Sequence, residues 1–111
     1  LHFLDYAKPF KNELFQLTVS PQVNTGVKVP SQKLFVRYRQ PGDRVKPVGM
    51  TGTKKLQDVF VDAKVPRHMR PLWPVVVNSA NEIVWVPQLV KDRRFFGASA
   101  DDYQYLNCEV L

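Results

Sequence analysis

Pro74-Val75-Val76-Val77-Asn78-Ser79-Ala80-Asn81-Glu82-Ile83-Val84-Trp85-Val86 is the stretch that decides how this chain folds. Two apolar, β-branched runs, 74–78 and 82–86, flank Asn78-Ser79-Ala80-Asn81, whose side chains favour a turn. This is the pattern of a β-hairpin, with Trp85 in its core. Upstream, Lys33 to Arg39 alternates. Leu34, Val36 and Tyr38 share one face, and Lys33, Phe35, Arg37 and Arg39 share the other. A period of two predicts a half-buried strand with a largely basic outer face. Glu13 to Val19 is β-rich and predicts another strand. Tyr103 to Val110 alternates again, with Gln104, Leu106, Cys108 and Val110 on one face, and closes the set.

Between these strands, Gln40 to Gly52 carries Gly42, Gly49, Gly52, Pro41 and Pro47, which predict an irregular loop. Thr53 then caps a helix over 54–64 whose buried stripe is Leu56, Val59, Phe60 and Ala63. Pro66 ends that helix and opens a short second helical turn over 66–72, which Pro71 and Pro74 stop. Gln22 to Gln32, with Asn24-Thr25-Gly26 and Pro30-Ser31, reads as a loop or linker. About five mostly antiparallel strands with one main helix make an α+β domain. The expected division is a flanking strand and linker segment over 1–30 and a domain over 31–111.

The chain has 111 residues, 44% hydrophobic and 23% charged. These values exclude wholesale disorder and two independent catalytic domains. No apolar run is long enough to span a bilayer, so no membrane partner is expected. Leu1 to Phe10 lacks the pattern of a signal peptide. The first residue is not Met and the pattern opens midway, so a piece of a longer protein is expected. Cys108 is the one cysteine, which excludes a disulfide framework and fits a reducing, cytoplasmic setting.

The net charge is +6, and its distribution says more than its sum. From Ser31 to Pro74 ten Lys and Arg face three Asp (Asp43, Asp58 and Asp62), a net +7. Concentrated positive charge attracts a polyphosphate through counterion release; the bland alternative is a solvated basic surface. Gly52-Thr53-Lys54-Lys55, before the predicted helix, reads either as a phosphate seat or as a loop that merely turns tightly. It lacks P-loop spacing. In Arg67-His68-Met69-Arg70 the two arginines are three apart and share one side of a helical turn. Their guanidinium groups suit bidentate phosphate contact. His68 has no nucleophile and carboxylate in a recognisable context, so a packing or phosphate-bonding role outweighs catalysis. Phe35 is the best base-stacking candidate among aromatic residues that otherwise belong to the core. No carboxylates or histidines fall at metal-ligand spacing, and Cys108 reads as packing. A DNA-binding helix-turn-helix is disfavoured, because Pro71 and Pro74 leave its second helix too short.

Three blocks also carry a family resemblance: Arg37-Tyr38-Arg39-Gln40-Pro41-Gly42-Asp43-Arg44, Gly52-Thr53-Lys54-Lys55-Leu56-Gln57-Asp58 and Val65-Pro66-Arg67-His68. With Pro74–Val77 and Ile83–Pro87, they resemble the C-terminal domain of tRNA(Ile)-lysidine synthetase. The resemblance implies a small β/β/α domain that holds the acceptor stem of tRNA(Ile). In that family an ATP-dependent ligase couples free lysine to the wobble cytidine. The catalytic machinery, with its ATP, Mg and lysine, belongs to an N-terminal domain whose Ser-Gly-Gly-x-Asp-Ser loop has no counterpart here. This fragment is therefore expected to hold no catalytic residue, cofactor or metal. Its expected partners are tRNA(Ile), its own N-terminal domain and, in a homodimer, a second copy. The expected tRNA contacts are Arg37, Arg39, Arg44, Lys46, Lys54 and Lys55, then Arg67, His68 and Arg70. The competing expectation is an interaction domain whose basic face meets an acidic protein surface.

Overall fold

The computed structural model describes residues 1–20, 26–97 and 99–111. Two antiparallel sheets and one helix stack in three layers. The central sheet runs in the order β1(His2–Leu4), β5(Leu34–Arg37), β8(Val75–Asn78), β9(Ile83–Val86) and β10(Val90–Lys91). The second sheet runs β2(Phe10–Lys11), β3(Phe15–Ser20), β11(Tyr103–Val110) and β4(Val27–Pro30). A ribbon of β6(Arg44–Val45) and β7(Lys54–Lys55) leads into α1(Leu56–Asp62).

The hairpin at the heart of the molecule forms as its sequence predicts. The Asn78 side-chain carbonyl accepts from the amides of Ala80 and Glu82. Asn81 takes a positive φ of 60°, which Asn tolerates better than most residues. The register pairs Val76 with Trp85 but Val77 with Ile83, so Val84 is an extra residue in a bulge. Its carbonyl instead accepts the Asp92 amide.

Both faces of the central sheet are covered. Leu34, Val36, Val76, Val84 and Trp85 pack against Leu17, Val19, Val29 and Leu106 of the second sheet. On the opposite face Val75, Val77, Ile83 and Val86 pack with Leu56, Val59 and Phe60 of α1 and with Trp73. Alternation in Lys33–Arg39 therefore misassigned its outer face. Phe35 packs into the helix-side core and against Phe3, with ring centroids 5.4 Å apart, and Arg37 is buried. A helix laid over the sheet covers the side that a two-layer reading leaves to solvent.

The other differences are local. Among the described residues there are eleven strands, several of only two or three residues, too short for a periodic pattern to register. Residues 27–30, expected in a linker, form an edge strand against β11, where Pro30 is tolerated. The Asn24-Thr25 half of the expected turn lies outside the described residues. Lys54 and Lys55 are in the β6–β7 ribbon rather than in the helix, so Thr53 is not its cap. The helix ends at Asp62 because Lys64 adopts φ 56°, the Val65 amide donates to Phe60 O and the Lys64 amide to Val61 O. That closure is a Schellman motif, and it leaves Ala63 exposed. The second helical segment is a turn followed by a 3-10 turn over Arg70–Leu72. Both sheets cross residue 30: β1 pairs with β5, and β3 pairs with β11.

Candidate nucleic-acid interface

Arg37 sits on β5 facing the helix side, where its charge needs a partner. Its guanidinium donates to both carboxylate oxygens of Asp43 at 3.0 and 2.9 Å and to Asn81 Oδ1 at 2.9 Å. Asp43 also accepts the Gln40 amide at 2.7 Å. Between them Pro41-Gly42 makes a tight turn, with Gly42 at φ 82° and the Asp43 amide donating to Gln40 O. This is a type II turn, whose third position requires the left-handed backbone that Gly adopts freely. Arg37 is thus consumed inside the protein, and it shapes the Gln40–Arg44 turn rather than reaching a ligand.

The turn forms one wall of an open cleft of about 520 Å³. Arg39 and Arg44 come from either side of the turn, Lys55 from β7 and Arg70 from the 3-10 turn, and all four line this one cleft. Among the described residues none of these four has a carboxylate partner. Arg44 donates only to the Thr53 hydroxyl, at 3.5 Å, and Arg70 Nε to Val65 O, at 3.0 Å. Lys54, the neighbour of Lys55, points elsewhere: it is ion-paired with Asp62 and lines a separate groove. Of the carboxylates that pair with cations of this basic segment, Asp43 lies in the cleft wall with both oxygens bonded to the buried Arg37, and Asp62 pairs with Lys54 in the separate groove.

Of the remaining expected contacts, Arg67 and His68 are exposed in the turn directly before Arg70 but do not line the cleft. Lys46 is half-buried, and its amide donates to Asp92 Oδ2 at 2.9 Å. The helix α1 opens at Leu56, whose amide donates to Asp43 O, and Leu56 and Gln57 line the cleft. Side-chain cations make the cleft basic. Among the described residues no group of three or more His, Cys, Asp or Glu forms a candidate metal site. Cys108 is half-buried against both cores, and burial pushes its thiol pKa up despite a hydrogen bond with Gln88.

A second set of residues, missed in the sequence, supports the site. Asp92 is fully buried. Burial alone would raise its pKa, but the Arg94 guanidinium and the amides of Lys46 and Arg94 outweigh that and hold it low. Arg94 also bridges to Glu82 at 2.7 Å, and its own pKa is raised, chiefly by the hydrogen bonds to Asp92. Arg93 reaches back to the loop before β7, donating to Gly52 O at 2.8 Å and Thr51 O at 3.2 Å. The signal for this was Lys91-Asp92-Arg93-Arg94 following an apolar strand, where one acid among three bases marks an ion-paired latch.

Comparison with known proteins places this architecture. The family model described as "TilS substrate C-terminal domain" matches residues 34–108. A tRNA(Ile)-lysidine synthase of Symbiobacterium thermophilum is 56% identical over 62 residues, which are 56% of this chain and 13% of that protein. The tRNA(Ile)-lysidine synthase of Shouchella clausii is 39% identical over 83 residues, 75% of this chain and 18% of that protein. That of Bacillus subtilis is 47% identical over 58 residues, 52% and 12% respectively. The chain therefore spans only 12% to 18% of the length of these relatives. A crystal structure of a TilS C-terminal domain superposes with a TM-score of 0.73 and 31% identity, covering 87% of this chain and 85% of that one. Sequence and three-layer architecture thus agree, and the chain belongs to the family of TilS substrate C-terminal domains.

Proposed function

We infer that this chain is the non-catalytic tRNA-docking domain of a tRNA(Ile)-lysidine synthase. In this reading the domain grips the acceptor stem of tRNA(Ile). A separate N-terminal domain of the same polypeptide, in the cytoplasm, uses ATP, Mg and lysine to convert the wobble cytidine to lysidine. The observation that carries the reading is the convergence of Arg39, Arg44, Lys55 and Arg70 on one cleft with no carboxylate partner among the described residues. A-form RNA presents phosphates and 2′-hydroxyls on a wide, shallow groove, and it is recognised by rigidly placed cations rather than by a deep pocket. Arg67 and His68, exposed in the turn that leads to Arg70, would extend the basic surface. Lys46 and Lys54 do not line the cleft, and Arg37 acts through the turn it holds. Gripping one end of the tRNA raises the effective concentration of the other end at the catalytic domain. The test is binding of a tRNA(Ile) transcript to the 111-residue chain at low salt. Retention of the transcript supports the reading, and no retention refutes it.

A specific feature favours a second contact, with protein. Leu1, Phe3 and Tyr6 are exposed apolar side chains around β1. They are the surface through which the domain would meet its own catalytic domain or a second copy. Replacing Phe3 and Tyr6 with Ser should leave tRNA retention intact and weaken any such association, as measured by sedimentation.

A further inference from the structure

The strand that carries Arg44 into the cleft is held from outside it. β6 is two residues long, and with β7 it forms a ribbon that belongs to neither sheet. A pair of strands this short is not stable by itself. Val45 is fully buried and roots the ribbon in the helix-side core. The residues on either side of β6, Asp43 and Lys46, are each tied into a chain of hydrogen bonds. Both chains lead to the turn of the central hairpin.

Before β6, Asn81 Oδ1 accepts from Arg37 Nε at 2.9 Å, and Arg37 grips both oxygens of Asp43. After β6, the chain starts at Glu82, whose Oε2 accepts from Arg94 Nη1 at 2.7 Å. Arg94 donates in turn to both oxygens of the buried Asp92, at 3.0 and 2.9 Å. Asp92 Oδ2 then accepts the Lys46 amide at 2.9 Å, and the Arg93 amide donates to Lys46 O at 2.7 Å. Asn81 and Glu82 are consecutive, and Asn78 fixes both. Its backbone carbonyl accepts the Asn81 amide, and its Nδ2 donates to Glu82 Oε1 at 3.0 Å. One turn therefore pins the two ends of β6. Arg44 pairs across the ribbon with Lys55, so both cleft cations inherit that placement. Neither Asn81 nor Glu82 itself lines the cleft. Cations held in place before a ligand arrives lose less conformational freedom on binding it.

We propose that Asn81 and Glu82 are positioning residues for phosphate binding, acting through Arg37–Asp43 and Arg94–Asp92 on Arg44 and Lys55. The proposal rests on the docking function above, and the experiment separates the two. Asn81→Gly removes the acceptor and keeps the positive φ of 60°, which Gly adopts freely. Glu82→Gln removes the charge and keeps the side chain's shape. Each is compared with the wild type for binding of a tRNA(Ile) transcript by the 111-residue chain, under conditions where urea denaturation shows both to be folded. Either variant should weaken binding by about three- to tenfold, the scale of changes along such a network. The loss should shrink in an Arg44→Ala background, because a cation that the chains place is gone. It should persist in full in an Arg70→Ala background, since neither chain includes the 3-10 turn. Equal losses in the two backgrounds would mean a general loosening of the fold and overturn the proposal. Unchanged affinity in the folded variants overturns it too, and leaves the docking function standing. Absence of binding by the wild type overturns both. The two variants break separate chains, so if one fails to fold the other decides.

Discussion

Arg37 shows how little a residue type says without its surroundings. In sequence it is one cation in an alternating basic run; in the fold it is buried and joined bidentately to Asp43. Removing one member of such a pair leaves the other charge without compensation, which costs about 3–5 kcal/mol when both are buried. Asp43 keeps some exposure, so Arg37→Ala should destabilise the fold by about 3 kcal/mol, measured by urea denaturation. By contrast, Arg44→Ala should leave stability within about 0.5 kcal/mol, as surface changes usually do, and weaken tRNA binding. Lys64 gives the opposite case. Its positive φ is strained for a side chain with a Cβ, so Lys64→Gly should stabilise the helix end by about 0.5–1 kcal/mol. The signal for neither role was available in the sequence, because each depends on a backbone path set by distant contacts.

Asp92 carries a pH signature at the same scale. Its pKa is lowered in the fold, so the folded state binds this proton less readily than the unfolded chain, where Asp titrates near about 3.9. The resulting stabilisation is present above that value and is lost as pH falls through the folded value. Denaturation of the wild type should therefore lose stability on going from neutral pH to about pH 3. Asp92→Asn should be weaker at neutral pH and lose less over that interval. Identical pH slopes would show that Asp92 does not contribute.

Among the elements, the longer ones were legible and the short ones were not. Repeated apolar spacing marked the 75–86 hairpin, β3, β5 and β11, because several consecutive side chains there meet one core. The β6–β7 ribbon has two residues per strand and rests on Arg93, some forty positions away, so no local pattern reveals it. It nonetheless sorts two adjacent lysines to different sites. Lys55→Ala should lower the salt slope for tRNA by about one, the signature of one lost phosphate contact. Lys54→Ala, whose charge is already engaged by Asp62, should change it less. Arg93→Ala releases the Thr51 and Gly52 carbonyls, and it should speed amide exchange across residues 51–55 while the two cores stay protected.

On the scale of the whole molecule, the third layer is what the sequence concealed. A run such as Pro74–Val77 is apolar on both faces, but that alone does not tell which residues of neighbouring strands are also covered. With α1 on one side and the second sheet on the other, the central sheet becomes a rigid plate. At the turns and ribbon of one margin, four cations share a cleft. A docking domain needs that arrangement: charge held in place by elements that do not move. The most direct measurement is the salt dependence of tRNA(Ile) binding for the wild type and for a variant with Arg39, Arg44, Lys55 and Arg70 all changed to Ala. Four phosphate contacts predict a logarithmic slope near about −3 to −4 for the wild type and a slope close to zero for the variant, with folding intact. A steep slope retained by the variant would contradict the account, since the RNA would then be held somewhere other than the cleft.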